Sequence, residues 1–262
     1  MILYPNAKIN IGLKVIERRP DGFHNLETFF FPIELTDILE IVESRETTLT
    51  LYGIDLEGKR EDNLCIKAYE MFAKDFGLPP VEIHLLKRIP PGAGLGGGSS
   101  DAAHTLIALN KLFCMNLSTE TLAGYAARLG SDCPFFIYSK GLNKEEGEGM
   151  LAQGRGEILR PLKLPQLKGM KIKTLVPPVF VSTTEAYGEI TPFRPQTSLR
   201  DQLLKPVEEW KDTVTNDFEY SVFKKHPIIE EYKQDLYNNG AIYASMSGSG
   251  SAVFGLFRQQ MN

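Results

Sequence analysis

The stretch Pro90-Pro-Gly-Ala-Gly-Leu-Gly-Gly-Gly-Ser-Ser100 places five glycines in the seven positions from Gly92 to Gly98. Ahead of it Val81, Ile83 and Leu85 alternate with Glu82 and His84, the period of a strand with one buried face. Behind it Ala102, Leu106, Leu109, Leu112 and Phe113 share one helical stripe, with Ser99, Ser100 or Asp101 placed to cap the helix. Strand, glycine loop and helix in that order make an anion site. Glycines let backbone N–H groups turn inward and approach closely, the serines add hydroxyl donors, and the helix presents its positive end. A flexible surface loop is the alternative; Pro90 and Pro91 argue against it by setting the loop's entry.

The flanks decide which phosphate loop this is. Gly92-x-Gly94-x-x-Gly97 matches the dinucleotide fingerprint letter for letter. That fold needs a second strand after the helix, ending in an acidic residue ~20 residues beyond the glycines. Here another helix follows, about Thr119 to Leu129, closed by Gly130. A Walker loop ends in Gly-Lys-Ser/Thr so that the lysine reaches the β- and γ-phosphates, and this loop contains no lysine. Asp75-Phe76-Gly77 looks like a protein-kinase element, but no His-Arg-Asp catalytic loop accompanies it. Those residues fall at the end of an amphipathic helix, Leu64 to Phe76, which Asp62-Asn63 can cap and Gly77 can end.

Further out, Ile9, Ile11, Leu13 and Val15 alternate with Lys8, Asn10, Gly12 and Lys14. A strand from Lys8 to Val15 therefore puts Lys8 and Asn10 on one side, about 7 Å apart. The turn Arg19-Pro-Asp-Gly22 follows, with strands at Ile38–Val42 and Thr48–Tyr52. Lys140 to Gly149 is acidic and glycine-rich and reads as an exposed loop. Composition shifts near residue 155, dividing the chain into 1–155 and 156–262. The second part carries strands at Ile158–Leu162 and Met170–Val176 and a helix from Pro227 to Asn239 closed by Gly240. Two final strands, Ala241–Ser245 and Ala252–Phe257, flank Met246-Ser-Gly-Ser-Gly-Ser251. Strands and helices mix without regular alternation, so the fold class is α+β rather than doubly wound α/β.

A net charge of −4 with scattered basic residues argues against nucleic-acid or membrane-surface partners. No apolar stretch approaches the ~18 residues of a membrane span, and the first residues do not form a signal peptide; a soluble, unexported, cytoplasmic protein is expected. Cys65, Cys114 and Cys133 are odd in number and widely spaced, as three buried thiols in a reducing compartment would be. His24, His84, His104 and His226 have no metal-ligand spacing, and no metal-binding residues are assigned.

Phosphoryl transfer needs a positioned acceptor, an offset for the moving charge and a destination for the acceptor's proton. Asp132, in Gly130-Ser-Asp-Cys-Pro134, suits a base, though such an aspartate also suits a helix N-cap. Lys8 suits the cation, though alone it also reads as a solvated strand-face residue.

Pro5-Asn-Ala-Lys-Ile-Asn-Ile-Gly-Leu13, Pro90–Ser100 and Ser245-Met-Ser-Gly-Ser-Gly-Ser-Ala-Val-Phe254 resemble, in order and separation, the three motifs of the GHMP kinase superfamily. Arg19-Pro-Asp-Gly-Phe-His-Asn-Leu26, Leu129-Gly-Ser-Asp-Cys-Pro-Phe135 and Gly154-Arg-Gly-Glu157 are similar to segments of a branch whose acceptor carries a cytidine diphosphate handle. The resemblance implies two α+β domains with the active site in the cleft between them, and an ATP-dependent kinase of a small molecule. It implies Asp132 as base, Lys8 as the group that holds it and stabilises developing charge, and Asn10 as an orienter of the acceptor. Pro90, Pro91, Gly92, Ala93, Gly94, Leu95, Gly96, Gly97, Gly98, Ser99 and Ser100 would wrap the ATP phosphates, with Asn63 and Lys87 toward adenosine. Ser247, Gly248 and Ser249 would close over the substrate. Phe23, His24 and Tyr187 would take the cytidine handle, Phe23 standing where tyrosine is frequent; stacking needs only the ring face. No carboxylate is dedicated to Mg²⁺ beyond the neighbourhood of Asp132, so phosphates and a serine hydroxyl would hold it.

Overall fold

A computed structural model describes residues 1–258 apart from Glu57, Glu189 and Arg194. In chain order the strands are β1 (Ile2–Leu3), β2 (Asn6–Arg18), β3 (His24–Thr36), β4 (Ile38–Glu43), β5 (Thr48–Gly53), β6 (Val81–Lys87), β7 (Glu148–Gln153), β8 (Ile158–Lys163), β9 (Met170–Leu175), β10 (Tyr243–Met246) and β11 (Val253–Arg258). The helices are α1 (Leu64–Phe76), α2 (Gly97–Leu112), α3 (Thr119–Leu129), α4 (Cys133–Tyr138), α5 (Thr183–Tyr187), α6 (Leu199–Leu203), α7 (Trp210–Thr213), α8 (Phe218–Lys225) and α9 (Pro227–Asn238). The class is α+β. Among the described residues no helix is long and apolar enough to cross a membrane.

Two compact units form. One comprises Met1–Ala7, Glu34–Pro91 and Gly96–Gly141; the other Lys8–Ile33, Gly92–Leu95 and Leu142–Asn262. They interleave along the chain, whereas composition suggested a single boundary near 155. The difference arises because residues 8–33 and 92–95 pack with the later half of the chain, and compactness follows contacts rather than sequence order.

The first unit is built on a sheet ordered β1-β4-β6-β5. β4 runs antiparallel to β6, opposing Leu39 to Leu85 and Ile41 to Ile83, and β5 runs parallel to β6. All four of those side chains are buried, as are Phe72 of α1 and Ala102, Leu106 and Leu109 of α2. Asn63 caps α1 by accepting the Cys65 N–H (2.9 Å), and Gly77 ends it at φ +67°. Helix α3 has the expected ends.

The second unit holds the sheet β2-β3-β7-β8 and the sheet β10-β11-β9. Its core joins Leu13 and Val15 of β2 to Phe218 and Val222 of α8, Ile229 and Leu236 of α9, and Met246 and Val253 of the second sheet.

Four expectations change. Helix α2 begins at Gly97 with Gly96 as N-cap and no side-chain cap, so Ser99, Ser100 and Asp101 lie inside it. Strand β3 was not legible, because Phe29-Phe-Phe-Pro-Ile33 is a continuous buried apolar run without the alternation that signals a strand. The 140–149 segment is not simply an exposed loop: it forms short turns and enters β7 at Glu148, with Gly149 and Met150 buried. Cys65 and Cys133 are buried thiols, but Cys114 is exposed, since it follows α2 in a turn with positive φ.

Candidate active site

The second unit assembles the N-terminal strand with two glycine segments. Lys8 and Asn10 both sit on the buried side of β2, 3% and 2% exposed. The Lys8 Nζ donates to Asn10 Oδ1 (2.5 Å) and to the Gly94 carbonyl (3.0 Å), and lies 5.0 Å from the centre of the Phe30 ring. A buried ammonium needs such acceptors, because desolvation without them is costly. The surface strand-face reading of Lys8 is thereby removed. Its backbone N–H also donates to Leu95 O (3.0 Å), tying β2 to the Gly92–Leu95 segment.

Met246–Ser251 meets the same segment. Asn10 N–H donates to Ser247 Oγ (3.2 Å), whose hydroxyl donates to the Gly94 carbonyl (2.9 Å). A Cβ on Gly94 would lie 1.9 Å from the Ser247 carbonyl oxygen, and Gly94 has φ +75°, so both space and backbone require glycine there. A Cβ on Gly248 would lie 3.3 Å from Asn10 Oδ1. Ser247, Gly248 and Asn10 thus come together, and the half-buried Ser249 follows in the same turn, closed by Gly250 N–H donating to Ser247 O (3.0 Å).

Gly92, Gly94 and Gly96 all adopt positive φ, a recurrence at every second position suited to turning N–H groups toward an anion. Pro90 and Pro91 enter the loop, and Ala93 O accepts Ala252 N–H (3.1 Å). In the first unit, α2 starts at Gly97, where a Cβ would meet Ile89 Cγ2 at 2.8 Å. Gly98 differs: it is exposed, and a Cβ there would meet only Leu64 Cδ1, at 3.9 Å. Glycine in a helix costs about 1 kcal/mol relative to alanine, and no protein contact at Gly98 calls for it. Ser99 is half-buried, whereas Ser100 is fully buried, its carbonyl accepting the His104 Nδ1–H (2.9 Å). Burial pushes His104 down to about 4, so it is a neutral donor.

Lys87 closes the inward face of β6, where Val81, Ile83 and Leu85 precede it. A lysine in that row needs counter-charges, and Asp37 and Asp101 (2.6 Å) supply them. Asp37 Oδ1 also accepts the N–H groups of Arg88 (2.5 Å) and Ile89 (2.8 Å). Burial works against the Lys87 charge, but the two carboxylates outweigh it and hold its pKa above the ordinary value. Burial, with the nearby Asp37 charge, pushes Asp101 up to about 7 against the pull of Lys87. The Lys87 ammonium joins the end of β6 to Asp37 and to Asp101 of α2. Asn63 Oδ1 is likewise used in capping α1.

Asp132 precedes α4 with helical dihedrals (φ −85°, ψ −18°), and its side chain makes no capping hydrogen bond. It occupies the N-cap position by its place in the chain, and Ser131 Oγ donates to its Oδ1 (3.4 Å).

At the tip of the β2–β3 hairpin, Phe23 is 54% exposed. His24 stacks on Tyr187, ring centres 4.6 Å apart and planes 16° apart, and Tyr187 packs edge-on against Phe218 of the core. Tyr187 is at once a margin of the core and a partner of His24. Burial, with Arg18 nearby, lowers the His24 pKa, favouring a neutral imidazole able both to donate and to accept.

Two positioning residues escaped the sequence reading. Thr28 Oγ1 accepts from Asn10 Nδ2 (2.9 Å) and donates to Gly12 O (2.6 Å). Asn216, 2% exposed, donates to the carbonyls of Met246 and Gly248 (2.8 Å each), holding the second glycine segment. Neither sits in a glycine motif; Thr215-Asn-Asp217, a polar triplet before an amphipathic helix, was the only available signal for Asn216.

The model of the GHMP kinases N-terminal domain matches residues 63–140, and that of the GHMP kinases C-terminal domain matches 202–262. The 4-diphosphocytidyl-2-C-methyl-D-erythritol kinase of Bacteroides thetaiotaomicron is 52% identical, covering 99% of this chain and 93% of its own. That of Cytophaga hutchinsonii is 45% identical, covering 98% and 92%. A crystal structure of 4-(cytidine 5'-diphospho)-2C-methyl-D-erythritol kinase superposes with a TM-score of 0.80 at 35% identity over 98% of this chain and 90% of that one.

Proposed function

The chain belongs to the GHMP kinases, and on that premise we propose that it transfers the γ-phosphoryl group of ATP to the 2-hydroxyl of 4-diphosphocytidyl-2-C-methyl-D-erythritol. The product is the 2-phosphate, in the methylerythritol phosphate route to isoprenoid precursors. Relatives that bear this enzyme's name at 45–52% identity over nearly the whole chain support the assignment. The observation that carries the chemistry is the buried Lys8 ammonium, bonded to Asn10 and to the carbonyl of Gly94.

In this reading Asp132 takes the proton of the acceptor hydroxyl as its oxygen bonds to the γ-phosphorus and the bond to the β–γ bridging oxygen breaks, releasing ADP; Asn10 orients the acceptor, and Lys8 stabilises the charge that develops. ATP would supply the phosphoryl group, and Mg²⁺ carried with it would offset the charge of the phosphates. A serine hydroxyl of the glycine loop and the Asp132 neighbourhood would hold it, since Mg²⁺ keeps several waters and binds largely through phosphates. The N–H groups of Gly97 and Gly98, at the start of α2, would receive the phosphates. Ser247, Gly248 and Ser249 would close over the acceptor, and Phe23, His24 and Tyr187 would hold cytidine. A cytoplasmic setting is part of the proposal, supported by three cysteines that remain free thiols.

A coupled ADP-release assay with the cytidylyl compound, homoserine and mevalonate side by side tests the assignment. Turnover of the cytidylyl compound alone is expected. Turnover of another acceptor without it would overturn the reading.

A further inference from the structure

Phe23 stands at a hairpin tip, 54% exposed, with the Arg155 guanidinium 5.0 Å from its ring centre. The backbone on both sides of that contact is pinned. Arg19 N–H donates to Phe23 O (2.8 Å) and Phe23 N–H to Asp21 Oδ1 (3.1 Å). Across from it, Gly156 N–H donates to Gln153 O (3.1 Å), and Leu26 N–H to Gly154 O (2.7 Å), fastening the Gly154–Glu157 turn to β3. Arg155 is itself steered: its N–H donates to Glu157 Oε2 (2.6 Å), and its Nε lies 3.7 Å from Glu157 Oε1. Gly154, at φ +69°, brings that carboxylate close, since a Cβ there would lie 3.0 Å from Glu157 Oε2. Asp21, bonded to the Arg19 guanidinium (3.1 and 3.2 Å), adds a second negative charge near Arg155.

We propose that Arg155 is a specificity-determining positioning residue: it holds the Phe23 ring from one side so that the ring stands as a preformed wall for a pyrimidine nucleoside diphosphate handle. The inference rests on the proposed function and deepens its cytidine site. Phenylalanine has no hydroxyl with which to fix its ring, so a cation over the face supplies the constraint. Without it the ring would be ordered only on binding, and ligand affinity would bear that entropy. Arg155 acts through Phe23, not on the reacting atoms.

The test begins with the unmodified enzyme: if it does not phosphorylate the cytidylyl acceptor, the functional reading fails, and CDP titrated calorimetrically still reports on the handle site. With turnover established, Arg155→Ala should raise the acceptor KM and the CDP Kd by about 3–10-fold, the scale of a partly exposed cation–π contact. kcat and the KM for ATP should stay unchanged, and Arg155→Lys should recover most of the loss. In a Phe23→Ala background Arg155→Ala should have no further effect on CDP binding. An unchanged acceptor KM in Arg155→Ala, equal losses toward ATP and acceptor, or full additivity with Phe23→Ala would each overturn the proposal.

Discussion

Lys8 and Asn10, two residues apart on β2, are joined by a 2.5 Å hydrogen bond from the Lys8 ammonium to the Asn10 carboxamide oxygen, and both are almost wholly buried. The period of the strand puts them on one side. Removal of the charge should therefore affect folding and catalysis together. Lys8→Met takes the charged donor from Asn10 Oδ1, while Gly94 O keeps the Ser247 hydroxyl; a buried acceptor that loses its donor costs about 1–3 kcal/mol. Thermal unfolding should show a clear fall in Tm, and kcat should fall further than stability explains. A Lys8→Met protein with wild-type kcat would remove the lysine from the chemistry.

Asp132 precedes α4 without a side-chain capping hydrogen bond, and the proposed function makes it the general base. Asp132→Asn should lower kcat by about 10²–10⁴, the usual contribution of a general base, while thermal stability and the KM for ATP stay close to wild type. An unaltered kcat in steady-state assays would exclude the aspartate as base.

Gly94 and Gly98 should respond oppositely to the same methyl group. At Gly94 the new Cβ would strike the Ser247 carbonyl at 1.9 Å on a left-handed backbone, where an L-residue already costs about 1–2 kcal/mol. Gly94→Ala should lose both stability and activity. At Gly98 the space is open, so Gly98→Ala should stabilise α2 by about 0.5–1 kcal/mol yet raise the KM for ATP, because the methyl intrudes where phosphates approach. Urea midpoints read alongside ATP kinetics separate the two cases.

Two buried groups of α2 oppose each other in their effect on stability with pH. His104 is lowered from 6.5 to about 4, so the unfolded chain binds its proton first. Stability from this group is present above 6.5 and is lost as pH falls toward 4, by about 1.4 kcal/mol per pH unit at most. Asp101 is raised from 3.8 to about 7, so the folded state binds the proton more readily, and its contribution is lost as pH rises from 4 to 7. Chemical denaturation from about pH 4.5 to 6.5 should show the wild type nearly flat. His104→Gln should lose stability as pH rises, and Asp101→Asn should gain it. Parallel curves for all three proteins would contradict the assignment.

Local patterns were legible in proportion to how locally they are determined. Helix α1 with its Asn63 cap and Gly77 stop, and α3 with its ends, matched their signals closely, because caps and stripes act within a few residues. The start of α2 was misplaced because a glycine in the left-handed region, not a serine, initiates it. Strand β3 was hidden in an unbroken apolar run that gives no period to read.

The amino-acid sequence by itself determined where an anion loop lies, that Lys8 and Asn10 share a strand side, and which family's ordered motifs the chain carries. Those depend on backbone freedom, strand period and order along the chain, all local properties. Tertiary structure decided which charges are paired and which are positioned. Lys87 is paired with Asp37, fifty residues earlier in the chain, and with Asp101, fourteen residues later. Gly94 must be glycine because of Ser247, and the second glycine segment is held by Asn216. Each depends on a desolvated polar group finding its partner across the chain, and no local pattern encodes that meeting.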